Sequence, residues 1–114
     1  RQVYYPFLPN HPQYRLMHSL SSGKGGGAVF SFEIAGAGRE QVFAFMDALE
    51  LVQPATSLGD VYSLLLYPAI SSHRGLSAAE RAGLGIGDGL VRLSAGIEDV
   101  ADIQADIAQA LDVI

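Results

Sequence analysis

An arginine set in the middle of an apolar strand restricts a small chain more than any other feature, and this sequence has one. Residues 88–99 read D-G-L-V-R-L-S-A-G-I-E-D, with Arg92 between valine and leucine. A guanidinium does not shed its proton to escape burial, so it needs an anion. Strand alternation puts Leu90, Arg92 and Ser94 on one face and Val91, Leu93 and Ala95 on the other. The anion can be internal, with Asp60 and Glu33 as candidates, or it can arrive with a ligand. Alternation alone leaves both open, because buried ion pairs also have purely structural uses.

At 114 residues the chain has the length of one domain with a single core. Hydrophobic residues make up 49% and mean hydropathy is +0.24, a surplus that points to a surface packed against another domain or subunit. No apolar run approaches the roughly 18 residues of a membrane span. A net charge of −5 and a pI near 4.9 argue against nucleic acid as a partner. Seven of the twelve acidic residues lie from Glu80 onward. The absence of cysteine removes disulfide and thiolate chemistry and fits a cytoplasmic setting. No signal peptide is visible, and the opening R-Q-V-Y-Y-P-F lacks a start methionine, as a mature product, a trimmed chain or a piece of something longer would.

Pro6, Pro9 and Pro12 mark an extended opening that leads into a helix, with Asn10 or His11 as cap and an apolar stripe of Leu16, Met17 and Leu20. A glycine-rich loop over 21–27 precedes a strand over 28–34. A helix follows over 39–50, where Val42, Phe43, Phe45, Met46 and Leu49 recur at helical spacing. Pro54 interrupts a short strand, which suits an edge. Residues 61–68 read as a further strand, Ser77 and Glu80 have capping-box spacing, and 89–95 form the last strand. Glu98 and Asp99 open a final helix, their charge suiting its N-terminal dipole, with Val100, Ile103, Ile107, Leu111 and Ile114 on one face. This order predicts an α/β fold of the α+β type: a two-layer sandwich with a mainly antiparallel sheet and helices on one face.

Other chemistry-bearing residues are weaker. The run from Gly23 to Ala28 matches a dinucleotide-binding spacing but precedes a strand instead of following one, so it reads as a connector. Lys24, the only lysine, lies in that loop and reads as a solvated charge. His11, His18 and His73 are too dispersed for a metal site.

Five segments, in order, resemble the C-terminal domain of the Cys/Met-metabolism family of pyridoxal-phosphate enzymes, which contains cystathionine synthases and lyases, methionine γ-lyases and homoserine-ester sulfhydrylases. They are V-Y-Y-P-F-L-P-N-H-P at 3–12, G-G-A-V-F-S-F-E-I at 26–34, S-L-G-D-V-Y-S-L at 57–64, Y-P-A-I-S-S-H at 67–73 and G-I-G-D-G-L-V-R-L-S-A-G-I-E-D at 85–99. The resemblance implies that residues 1–114 are one domain, the small substrate-recognition domain of a fold-type I enzyme. It implies that Arg92 clamps the α-carboxylate of an amino-acid substrate, that Ser57 contacts the same carboxylate, and that Thr56 lies near the substrate side chain. It also implies β- or γ-elimination or γ-replacement on sulfur amino acids by the full protein, pyridoxal 5′-phosphate held by a large domain, and a homotetramer. No catalytic or cofactor-binding residue is expected in this chain, which alone is expected to be inactive and to bind no cofactor. Tyr67 and Ser72 stand where the family commonly has histidine and threonine, and Tyr62 where a polar residue is frequent. The alternative reading is a self-contained α/β binding or dimerisation module without catalysis.

Overall fold

The strand that carries Arg92 lies at the centre of the sheet. The computed structural model describes residues 2–114. Its elements are β1 (Gln2–Tyr4), α1 (Tyr14–Leu20), β2 (Val29–Glu33), α2 (Arg39–Ala48), β3 (Gln53–Pro54), β4 (Leu64–Leu66), α3 (Ala78–Gly83), β5 (Leu90–Ser94) and α4 (Val100–Leu111). The strands form one mixed sheet in the order β1-β2-β5-β4-β3. β5 pairs antiparallel with both β2 and β4, so Arg92 is flanked by Ser31 on one side and Leu66 on the other. β1 is antiparallel to β2, and only β3 runs parallel to its neighbour.

One face of this sheet makes the core. Val91 and Leu93 of β5 and Leu65 of β4 are fully buried with Val42 and Phe45 of α2 and Ala110 of α4, and Phe30 and Phe32 pack against them. Burying a side chain of that size stabilises by about 1.5–3 kcal/mol. Pro54 sits in the edge strand β3, as its missing N–H requires.

A carboxylate fastens α4 to the chain that leaves α2. Asp106 is buried and accepts the backbone N–H groups of Glu50 at 2.8 Å, Leu51 at 2.9 Å and Val52 at 2.8 Å. Gln109 donates to Ala48 O at 2.6 Å and to Asp106 at 3.0 Å. Burial works to raise the Asp106 pKa, but the three backbone donors and Gln109 outweigh it and hold the carboxyl below its ordinary range.

Several local expectations change. The opening segment contributes an edge strand, β1, and α1 begins at Tyr14, two residues after Pro12, with Gln13 at its cap. His11 accepts the Gln13 N–H instead of capping the helix. α1 buries no residue: Leu16 is 53% and Leu20 74% exposed. α2 stops at Ala48, where Asp106 takes over the backbone donors that follow. The strand expected over 61–68 shrinks to Leu64–Leu66, because Val61 O accepts Ile97 N–H and the Ser63 N–H turns to Glu98. In α4, Asp99 is the cap, accepting from Ala101 N–H, and Glu98 is engaged elsewhere; Val100 is exposed, and Asp106 and Ala110 share the buried face with Ile103. The Ser77–Glu80 capping box forms as spaced.

Removing the Asp106 carboxylate strands three donors at once. Asp106→Ala should cost about 2–4 kcal/mol in urea denaturation, since bonds to charged groups contribute about 1.5–3 kcal/mol each and the site is partly solvated. Its folded-state pKa is depressed, so this contribution is present above the ordinary carboxyl pKa and is lost as pH falls through the folded value. The gap between wild type and Asp106→Asn should therefore narrow on acidification. A gap independent of pH would contradict the assignment.

Candidate functional site

Arg92 reaches neither of the acids that alternation made available. Its Nη2 donates to the backbone carbonyl of Ser57 at 3.1 Å and, more weakly, to that of Thr56 at 3.4 Å. Its Nε is buried with no hydrogen-bond partner. Asp60 is turned onto the Tyr62 backbone N–H, and the Glu33 carboxylate lies against Gly87. The guanidinium is thus half-buried, oriented by two neutral carbonyls, and without a carboxylate among these bonds. A neutral acceptor orients a cation without neutralising it, so one full positive charge remains for an incoming anion. Ser57 and Thr56, the other two residues expected at the site, are exposed and adjacent to Arg92 through those carbonyls.

The loop that presents Ser57 is sewn to the end of β5. Ser94, on the same face as Arg92, accepts the Gly59 N–H through its hydroxyl at 2.9 Å. Ile97 N–H donates to Val61 O at 2.9 Å. Glu98 accepts from both the backbone N–H and the hydroxyl of Ser63, each at 2.7 Å, and the Ser63 oxygen in turn accepts Gly96 N–H at 2.9 Å. These two donors, the backbone N–H first, hold the Glu98 carboxyl below its ordinary pKa. Gly96 lets the segments touch: a Cβ there would meet the Val61 carbonyl oxygen and sit 2.6 Å from the Tyr62 carbonyl carbon. The S-L-G-D and L-S-A-G-I-E-D segments are therefore one interlocked unit. Ser63 and Glu98 were not legible as its fasteners, since an acid before a helix reads first as a dipole partner.

Beside Thr56 lies a mostly apolar recess of about 230 Å³, walled by Met46, Pro54, Leu66, Tyr67 and Ile70. The histidines do not converge on the site. His11 serves the turn before α1, His18 stacks on Phe7 at 4.2 Å, and His73 lies against the Ser72 hydroxyl.

Nor do these residues fit pyridoxal phosphate. That cofactor needs a lysine in a desolvated pocket and a cradle for its phosphate. Lys24 is exposed on the loop before β2, between Gly23 and Gly25 at positive φ, and a Cβ on Gly25 would meet nothing within 4 Å.

Comparison with known proteins places this geometry in context. The family model described as Cys/Met metabolism PLP-dependent enzyme matches residues 1–112. The chain is 44% identical over 110 residues to the O-succinylhomoserine sulfhydrylase of Pseudomonas aeruginosa, covering 96% of this chain and 27% of that protein. It is 46% identical over 112 residues to the L-methionine gamma-lyase of Pseudomonas putida, with the same coverages of 96% and 27%. Among solved structures, the cystathionine gamma synthase of Xanthomonas oryzae pv. oryzae in complex with aminoacrylate and cysteine superposes with a TM-score of 0.84 at 44% identity, over 98% of this chain and 28% of that one. The chain thus spans a little over a quarter of the length of the relatives it matches.

The interlock can be tested without any substrate. Gly96→Ala forces a methyl group onto the backbone at 61–62, and overpacking of this kind costs about 1–3 kcal/mol. Amide exchange at Gly59 and Ser63 should accelerate in that variant while the amides of β2 keep their protection. Unchanged exchange at both positions would show that the loop does not depend on this contact.

Proposed function

This chain belongs to the Cys/Met-metabolism family of pyridoxal-phosphate-dependent enzymes, and on that premise we propose that it is the substrate-recognition domain of such an enzyme. In this reading it is the small C-terminal domain, a two-layer sandwich whose Arg92 face looks toward a large cofactor-binding domain outside this chain. The complete protein eliminates or replaces a group on a sulfur amino acid or homoserine ester in the cytoplasm, as a homo-oligomer of tetrameric type. Pyridoxal phosphate supplies the electron sink for that chemistry.

The observation that carries the reading is the uncompensated guanidinium of Arg92. Planar guanidinium and planar carboxylate pair through two parallel charge-assisted hydrogen bonds, which sets both the position and the tilt of the bound acid. The buried Nε and a terminal nitrogen form one edge of that fork. In this reading the Ser57 hydroxyl donates a further hydrogen bond to the same carboxylate. The recess beside Thr56 is apolar, as a thioether or short aliphatic side chain requires. The chain therefore binds and orients, and excludes water along Leu66 and Tyr67. Proton transfer at the α-carbon falls, in this reading, to residues of the large domain.

In the complete enzyme, Arg92→Ala should raise KM with a loss in kcat/KM worth about 2–5 kcal/mol, the range for truncating one partner of a buried charge pair. Arg92→Lys should recover only part of this, because an ammonium does not reproduce the fork. Ser57→Ala should cost less, about 1 kcal/mol. Steady-state kinetics that are unchanged in the arginine variant would remove it from the site. The 114-residue chain alone, supplied with pyridoxal phosphate, should consume no methionine, cystathionine or homoserine ester, and measurable turnover would contradict the division of labour.

A further inference from the structure

A second cationic site lies on the other side of the sheet from Arg92. Tyr67 follows Leu66, the residue paired with Arg92, and by alternation points to the opposite face, where it is 2% exposed and packs in the core. Beyond its ring a cavity of about 440 Å³ opens between the start of α2, the loop after β4, α3 and the turn before β5. Arg39, Arg74 and Arg81 all line it, together with Asp88. Three of the seven cationic side chains of a chain with net charge −5 thus converge on one cavity.

The arginines are not spent on one another's acids. Arg81 pairs with Asp88 at 3.0 Å and donates to Leu76 O at 2.9 Å, yet its Nε is buried without a partner. Arg39 lies with its guanidinium 5.4 Å from the centroid of the Phe43 ring, and among the described residues neither Arg39 nor Arg74 has an ion pair. Burial, then the charge of Asp88, push the Tyr67 hydroxyl up against the opposing pull of Arg39 and Arg81, so it stays a neutral donor and bonds to Asp88 O at 2.7 Å. One carboxylate against three guanidiniums leaves two positive charges without an acid partner along the wall of one polar, solvent-open cavity.

We propose that this cavity binds a small dianion that presents a phosphate-type oxyanion group to Arg39 and Arg74. A phosphate monoester carries about −1.5 to −2 at pH 7, which matches the local excess. Guanidinium forks pair with its oxygens in the bidentate geometry that also suits carboxylates. An amino acid, a zwitterion, brings no net negative charge to such a place. The cavity is also larger than the oxyanion, within the roughly 300–1,000 Å³ of small-molecule pockets, and leaves room for an organic body on the ester oxygen. The proposal does not rest on the reading of Arg92: its cations, Arg39, Arg74 and Arg81, are distinct from Arg92, and it shares only the Tyr67 and Ile70 walls with the recess beside Thr56.

The test is a calorimetric titration of the protein with inorganic phosphate at constant ionic strength, with succinate as the dicarboxylate control. Phosphate should bind saturably at millimolar concentration or tighter, and at least several-fold more tightly than succinate. Arg39→Gln and Arg74→Gln should each weaken it several-fold, and the double variant at least tenfold. Both side chains are exposed, so circular dichroism should confirm an unchanged fold. Arg92→Gln should leave phosphate binding as it was. Absence of saturation, equal binding in the double variant, equal affinity for succinate, or loss of binding on Arg92→Gln would each overturn the proposal.

Discussion

A guanidinium that keeps its charge inside a sheet is the constraint around which this fold is arranged. Removing a charge from water costs several kcal/mol, and neutral carbonyls recover only part of that. Arg92 receives the Ser57 and Thr56 carbonyls and leaves its Nε buried without a partner. Buried unpaired polar atoms are uncommon and ask for an explanation, of which an awaited ligand is one. The rest of the fold offsets the cost elsewhere, through Val91 and Leu93 on the reverse of the same strand.

Strand alternation thus divides the labour. The odd-numbered residues of β5 build the core with α2 and α4; the even-numbered ones include Arg92 of the proposed site and Ser94, which holds the 57–59 loop. Ser94 reaches the loop that presents Ser57, and Glu98 pins that loop through Ser63 just beyond the strand. Gly96, Ile97 and Glu98, beyond the last β5 position, thus support the loop through Ser63 and Val61. The second cationic cavity uses the same device in mirror image, since Tyr67 departs to the opposite face one residue after Leu66.

Much of this was legible in the sequence. The pattern of β5 placed Arg92 opposite the apolar residues, Pro54 marked an edge, and the Ser77–Glu80 spacing capped α3. The roles proposed for Arg92, Ser57 and Thr56 came from a resemblance spread over five segments, while the residues' own pattern left Asp60 and Glu33 open as partners. What escaped were contacts between distant parts of the chain. Asp106 looks like a polar interruption in a helical stripe, and its three donors lie 54 to 56 residues away. Glu98 looks like a dipole partner, and its true partner, Ser63, lies 35 residues earlier. Local periodicity reports which face a side chain takes, not which distant backbone needs an acceptor there. The same gap explains the shortened strand over 64–66, whose preceding residues bond sideways to the 96–98 turn.

The central claim is that Arg92 holds the acid group of an amino acid. A crystal structure of the complete protein with a bound sulfur amino acid decides it. The account predicts two hydrogen bonds of about 2.7–2.9 Å from the Arg92 guanidinium, Nε among the donors, to the ligand's α-carboxylate. A carboxylate seated on other residues, with Arg92 still resting on the Ser57 and Thr56 carbonyls and its Nε unpartnered, would contradict it.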